Sequence, residues 1–198
     1  MPDACYSSAA VGTAVDLANT LRPVKGEDAL ETVEQLRRFL DEHPPAAPPH
    51  PAGAAAAPWP AAERRLTPAD LVEVRALRET VRSVLERAGT DPAGAATLIN
   101  DGLRHGRAVP ALRHDDGRWR IDAVSETDTC SARLTVAVLG ALAAAIATLG
   151  PDRLGVCAGP NCRSTYVDLS RNGSKQYCTR TCAHRASVTA YRARLSPS

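Results

Sequence analysis

Aromatic side chains are scarce in this sequence: one Phe, two Trp and four Tyr make up 4% of 198 residues. An interior built on stacked rings is therefore excluded, and the core has to come from Leu, Val, Ile and Ala. Charge of one sign is also lacking, since 24 basic against 22 acidic side chains leave a net +2. With 44% apolar and 23% charged residues, the composition is that of a globular chain, neither fibrous nor wholly disordered. Lysine is almost absent, at 2 against 22 arginines. That ratio reflects a coding bias and does not by itself point to phosphate binding.

No long hydrophobic run occurs either. The longest uncharged one, Leu134 to Leu149, contains Gly140 and falls short of the roughly 20 residues a spanning helix requires. A buried core helix is expected there, with no membrane partner. Met1 to Thr20 lacks a basic leader and meets Asp3 and Asp16 early, so no secretory signal is read and a cytoplasmic protein is expected. Catalytic signatures are missing: there is no Walker-type glycine loop, no Gly-x-Ser-x-Gly and no His-Glu-x-x-His. His105 and His114 sit in different local settings, and His114 beside Asp115 reads as a solvated pair. The expectation is a protein that is not an enzyme.

What is present is unevenly distributed. Residues 1–150 carry 16 basic and 20 acidic side chains, whereas residues 151–198 carry 8 and 2. The first stretch reads as mainly helical. Asp28 and Glu31 give a capping signal ahead of Leu30, Val33, Leu36 and Phe39/Leu40, which predicts a helix over 29–41. Pro44 to Ala62 is nearly all Pro and Ala and reads as an extended loop inside the domain. Thr67-Pro68-Ala69-Asp70 opens a second helix whose apolar face is Leu71, Val74, Leu77, Val81, Val84/Leu85 and Ala88. Arg75, Arg78, Arg82 and Glu86 are expected on its solvated side. Asp91-Pro92 opens a third helix ending near Gly102. Between Val109 and Val124 the period becomes two around Asp116-Gly117, a hairpin signal. A long helix is expected over 130–149, stopped by Gly150-Pro151.

Four of the six cysteines fall within 26 residues: Cys157-x4-Cys162, then Cys178-x3-Cys182. Two close pairs of thiols joined by a basic loop suit tetrahedral zinc, and four thiolates close the coordination sphere, so the metal is structural and no water is activated. Disulfides and free thiols are the alternatives. Without a secretory signal disulfides are disfavoured. Cys5 reads as an incidental thiol and Cys130 as a packing residue. Around the pairs lie Arg171, Lys175, Arg180, Arg185, Arg192 and Arg194, interleaved with Tyr166, Tyr177 and Tyr191. From Cys182 to Leu195 a helix is expected, with His184, Val188, Tyr191 and Leu195 able to pack on the zinc knuckle while Arg185, Thr189 and Arg192 face outward. His184, two residues after Cys182, could replace a ligand, but four thiolates suffice, and it reads as an exposed polar or DNA-facing imidazole. Such guanidiniums suit phosphate or guanine.

These residues resemble a known family. Cys157-x4-Cys162, Tyr166-Val-Asp-Leu-Ser-Arg-Asn172, Tyr177-Cys178-x3-Cys182-x-x-Arg185 and Ala190-Tyr-Arg-Ala-Arg194 look like the CGNR zinc finger. Val15-Asp16-Leu17-Ala18-Asn19-Thr20 looks like the start of the ABATE domain that precedes that finger. The tetrapeptide that names the finger is here Cys182-Ala183-His184-Arg185, so its Gly and Asn positions are substituted. The resemblance implies a bacterial stress-induced transcription regulator with zinc on the four cysteines and a DNA-binding finger.

The expected fold is α+β: a mainly helical N-terminal domain with a small β-hairpin (1–150), then a small zinc-binding module (151–198). The expected function is transcription regulation, with Arg171, Lys175, Arg180, His184, Arg185, Arg192 and Arg194 on DNA, and Arg171 with Lys175 able to clamp a phosphate. The N-terminal domain is expected to sense a small-molecule effector, with Asp16 and Asn19 at its site, or to form a homodimer. The alternative is a zinc-stabilised module that docks on an acidic partner without reading DNA.

Overall fold

The computed structural model of the chain describes residues 7–44, 66–115 and 118–195. Cys5, the Pro/Ala-rich loop beyond Pro44 and the Asp116-Gly117 turn lie outside the described residues.

Helix α1 (Ser8–Asn19) starts where the Ser7 hydroxyl accepts the Ala10 N–H, and it buries Val11, Ala14, Leu17 and Ala18 at helical spacing. A two-stranded ribbon follows, β1 (Leu21–Arg22) with β2 (Glu27–Asp28), turning at Gly26 with φ 67°. Helix α2 (Val33–Glu42) begins four residues later than the sequence pattern suggests. Its capping box is Thr32 with Gln35, not Asp28 with Glu31. Asp28 is drawn elsewhere, to Arg78.

Helix α3 (Pro68–Arg87) opens as expected, with Thr67 and Asp70 forming a capping box and Pro68 in the first turn. Its apolar face is buried, but Arg78 and Arg82 are not solvated: they are 3% and 7% exposed. Each sits within reach of acceptors from segments distant in the chain, which a single-helix pattern does not show. Helix α4 (Pro92–His105) runs through Gly102, the expected stop. There glycine serves packing, because a Cβ at Gly102 would clash with Leu139 Cδ1.

The hairpin forms as expected from β3 (Ala108–Asp115) and β4 (Arg118–Ser125), pairing Leu112 with Ile121 and His114 with Trp119. Helix α5 (Cys130–Leu149) carries the centre of the core. By length and composition it could cross a membrane. Here its Leu134, Val138, Leu139, Leu142 and Ala145 are fully buried against α1, α3 and α4, and Cys130 is buried too. Burying each such leucine contributes about 2 kcal/mol.

After a 3-10 turn at Pro151–Arg153 come β5 (Leu154–Val156) and β6 (Thr165–Val167), antiparallel, with Leu154 opposite Val167. Both strands lie against α3, and β6 also against α1. Leu154 and Val167, 4% and 5% exposed, join the same apolar core as the N-terminal helices. Helix α6 (Arg180–Leu195) closes the described chain. The fold is thus mainly helical with small hairpins and a C-terminal cysteine module.

Candidate metal centre

The connection between β5 and β6 is a tight knuckle. Cys157 directly follows β5, and the Cys162 N–H returns to the Gly159 carbonyl at 3.0 Å. Asn161 takes φ 58°, a left-handed conformation that Asn tolerates better than other non-glycine residues. A Cβ at Gly159 would come within 3.3 Å of both Cys157 Sγ and Cys182 Cβ, tighter than ordinary packing, so glycine suits the close approach of the two ligand segments. The second pair is set by α6. Thr179 accepts the Cys182 N–H at 3.2 Å, capping the helix and placing Cys182 in its first turn.

All four sulfurs lie within 4.8 Å of one another. Cys162 to Cys178 is 3.7 Å and Cys178 to Cys182 is 3.6 Å. These are not disulfide distances, and all four cysteines are free. Zinc–sulfur bonds of about 2.3 Å in a tetrahedron put the sulfurs about 3.8 Å apart. The cluster therefore fits a structural zinc ion, with four sulfur donors and no open position.

Second partners already orient the ligands. Cys157 Sγ accepts the N–H groups of Gly159 at 3.4 Å and Cys178 at 3.3 Å. Burial alone would raise the Cys162 thiol, but the Ser164 amide and hydroxyl and the neighbouring sulfurs bring it down to about 7. Burial pushes Cys178 up, and Cys182, Cys157 and Cys162 add to it, to about 12. Four thiolates at this spacing repel one another, and a doubly charged cation relieves that repulsion.

The loop from β6 to Cys178 is held by Asp168, which is 1% exposed. It accepts the Ser170 N–H at 2.9 Å and the Lys175 N–H at 2.8 Å, with Arg153 at 3.9 Å. Burial works against its ionisation, yet these donors outweigh that and keep its carboxyl below the ordinary value. The Asp-x-Ser signal for this turn is present in the sequence, but Asp168 has no role in the sequence reading.

Arg171 at the loop, and Arg180, His184, Arg185, Arg192 and Arg194 along α6, are exposed. Lys175 is exposed as well, with its ammonium donating to the Val167 carbonyl at 3.3 Å and standing 5.4 Å over the Tyr166 ring. The face of α6 expected on the knuckle does not pack there as a whole: His184 is exposed and Tyr191 is 60% exposed. Tyr191 lies more than two turns beyond Cys182, past the reach of the small knuckle.

Asp16 and Asn19 both border a cavity of about 720 Å³ between the end of α1, the β1–β2 ribbon and α2, together with Arg38, Phe39 and His43. Asp16 faces His43 at 3.8 Å. The Asn19 amide is committed to Thr165 of β6. At the cavity wall, Asp28 accepts both Arg78 nitrogens, at 2.6 and 3.0 Å, with Arg75 at 3.5 Å. Burial would raise the Asp28 carboxyl, but Arg78, the Leu30 amide and Arg75 hold it below the ordinary value.

A helical body joined to a closed four-cysteine site defines the class of zinc-finger proteins. The comparisons agree with that class: residues 12–150 match the family model ABATE, described as "Putative stress-induced transcription regulator", and residues 153–195 match the CGNR zinc finger. The chain belongs to the ABATE family and carries a CGNR zinc finger. No curated protein matches the chain.

Proposed function

We propose that this protein is a transcription regulator whose zinc module binds DNA. One observation carries the reading: from Leu169 to Leu195 the chain has six basic and no acidic residues, and all six, five of them arginines, are exposed around the zinc site and along α6. Zinc holds the start of that helix, so the metal fixes how the guanidiniums are presented. Arg171, Arg180, Arg185, Arg192 and Arg194 contact phosphate or base edges, with His184 beside Arg185 on the same turn. Lys175, exposed too, ties the loop to the Val167 carbonyl and stands beside Arg171 for a phosphate. The division of labour falls near residue 150, and the protein works in the cytoplasm, where four thiolates stay reduced for zinc.

The N-terminal domain supplies the second half of the function. The cavity beside Asp16 and Asn19 supports effector binding, since one of its wall residues also holds the zinc module. Homodimerisation is supported by the hairpin: Leu112, Trp119 and Ile121 lie on one face and are 62%, 68% and 72% exposed.

The experiment is fluorescence anisotropy with a pool of duplex DNA at low salt, on zinc-loaded and chelator-treated protein. Binding that requires the metal supports the reading. A folded, zinc-loaded protein that ignores DNA but retains an acidic protein from nuclease-treated lysate supports docking on such a partner instead.

A further inference from the structure

Asn19 and Arg82 belong to the N-terminal helices, yet the atoms they hold belong to the strand that leaves Cys162. Asn19 Nδ2 donates to the Thr165 carbonyl at 3.0 Å, and its Oδ1 accepts the Thr165 N–H at 2.8 Å. One side-chain amide thus pairs with both backbone groups of one residue, as a neighbouring strand would. Arg82 Nη2 donates to the Arg163 carbonyl at 2.7 Å, Nη1 reaches the Ala18 carbonyl at 3.4 Å, and Nε pairs with Glu86 at 2.9 Å. Between them the Ser164 carbonyl accepts the Cys157 N–H at 2.9 Å, while the Ser164 amide and hydroxyl donate to Cys162. Thr165 is 1% exposed and Arg82 7%. Positions 163, 164 and 165, directly after a metal ligand, are therefore each fixed, two of them by the helical domain.

We propose that Asn19 and Arg82 are positioning residues for the zinc site. They hold the backbone after Cys162 so that its sulfur and that of Cys157 are gathered before the metal arrives, which lowers the ordering cost of binding. This gives Asn19, singled out by the sequence as an effector contact, a different task. The proposal rests on the zinc site and is independent of DNA binding.

The chemistry is specific. Asp at position 19 would set a carboxylate oxygen against the Thr165 carbonyl, replacing attraction by repulsion. Lys at position 82 keeps the charge, but one ammonium cannot span Ala18, Arg163 and Glu86 as a guanidinium does.

The test is competition between the full chain and a chromophoric zinc chelator. Asn19→Asp and Arg82→Lys are expected to bind zinc about 10- to 100-fold more weakly. At saturating cobalt they keep the thiolate-to-cobalt absorption of a four-sulfur site. The control is Val74→Ala, a fully buried α3 position two turns before Arg82. It is expected to lower the urea midpoint and leave zinc affinity unchanged. If Asn19→Asp does not fold, Arg82→Lys carries the test alone. Parent-like zinc affinity in the folded variants overturns the proposal, as does an equal loss in Val74→Ala, which would make the effect one of general destabilisation.

Discussion

Arg78 shows how one residue can be misjudged from a helical pattern. On an amphipathic helix an arginine outside the apolar stripe reads as solvated, yet this one is 3% exposed and meets Asp28, fifty residues earlier, through two hydrogen bonds. Asp28→Asn removes the buried counter-charge and leaves Arg78 only Glu79, at 3.2 Å, as a carboxylate partner, and urea unfolding is expected to show a loss of about 1–3 kcal/mol. The pH dependence follows from the same pair. The Asp28 and Asp168 carboxyls both sit below their ordinary value in the folded chain, so folding favours the ionised forms. Their contribution is complete above the unfolded value of about 4 and is lost as pH falls through the lower folded values. A urea midpoint that drops below pH 4 is expected, with a shallower drop in Asp28→Asn; identical profiles for the two proteins would contradict the assignment to Asp28. The cysteines, by contrast, were legible from spacing alone, because four thiols in two close pairs have few structural uses.

At the scale of elements, legibility follows length and cap chemistry. Helix α3 was readable from Thr67-Pro68-Ala69-Asp70, and α5 from an unbroken apolar run. Strands β5 and β6, three residues each, are too short to carry a period, and only pairing and the core behind them define them. The start of α2 was missed because Asp28 offers a plausible cap whose carboxylate is claimed by α3. Helix α6 depends on zinc in a way α5 does not: its first turn carries Cys182, while little of its length is buried. Removing zinc is expected to release amide hydrogen exchange at Cys157–Cys162 and across Tyr177 to the first turns of α6, with α5 still protected. Unchanged exchange in α6 after complete zinc removal would show that the helix stands without the metal.

For the whole molecule, two surfaces matter: the arginines beside the zinc and the apolar face of the hairpin. If that face joins two copies, sedimentation at micromolar concentration shows a dimer, and Ile121→Asp yields a folded monomer; a monomeric parent protein would remove the hairpin from the account. The arginines were named from the basic stretch around the cysteines, whereas the apolar face of the hairpin was not, since which exposed side chains share a face depends on strand register. The family match and the four-sulfur cluster define a zinc-finger protein, and the acid-free basic stretch around the cysteines is what supports the proposal of DNA binding.

The most direct measurement is the salt dependence of DNA affinity for the zinc-loaded chain, with Arg185→Ala/Arg192→Ala alongside. With most of the five exposed arginines on phosphates, log affinity against log salt is expected to fall with a slope of about −3 to −5, and the double variant to be shallower by about 2. A slope near zero, or one that the double variant leaves unchanged, would contradict the central claim that the zinc module is the DNA-binding surface.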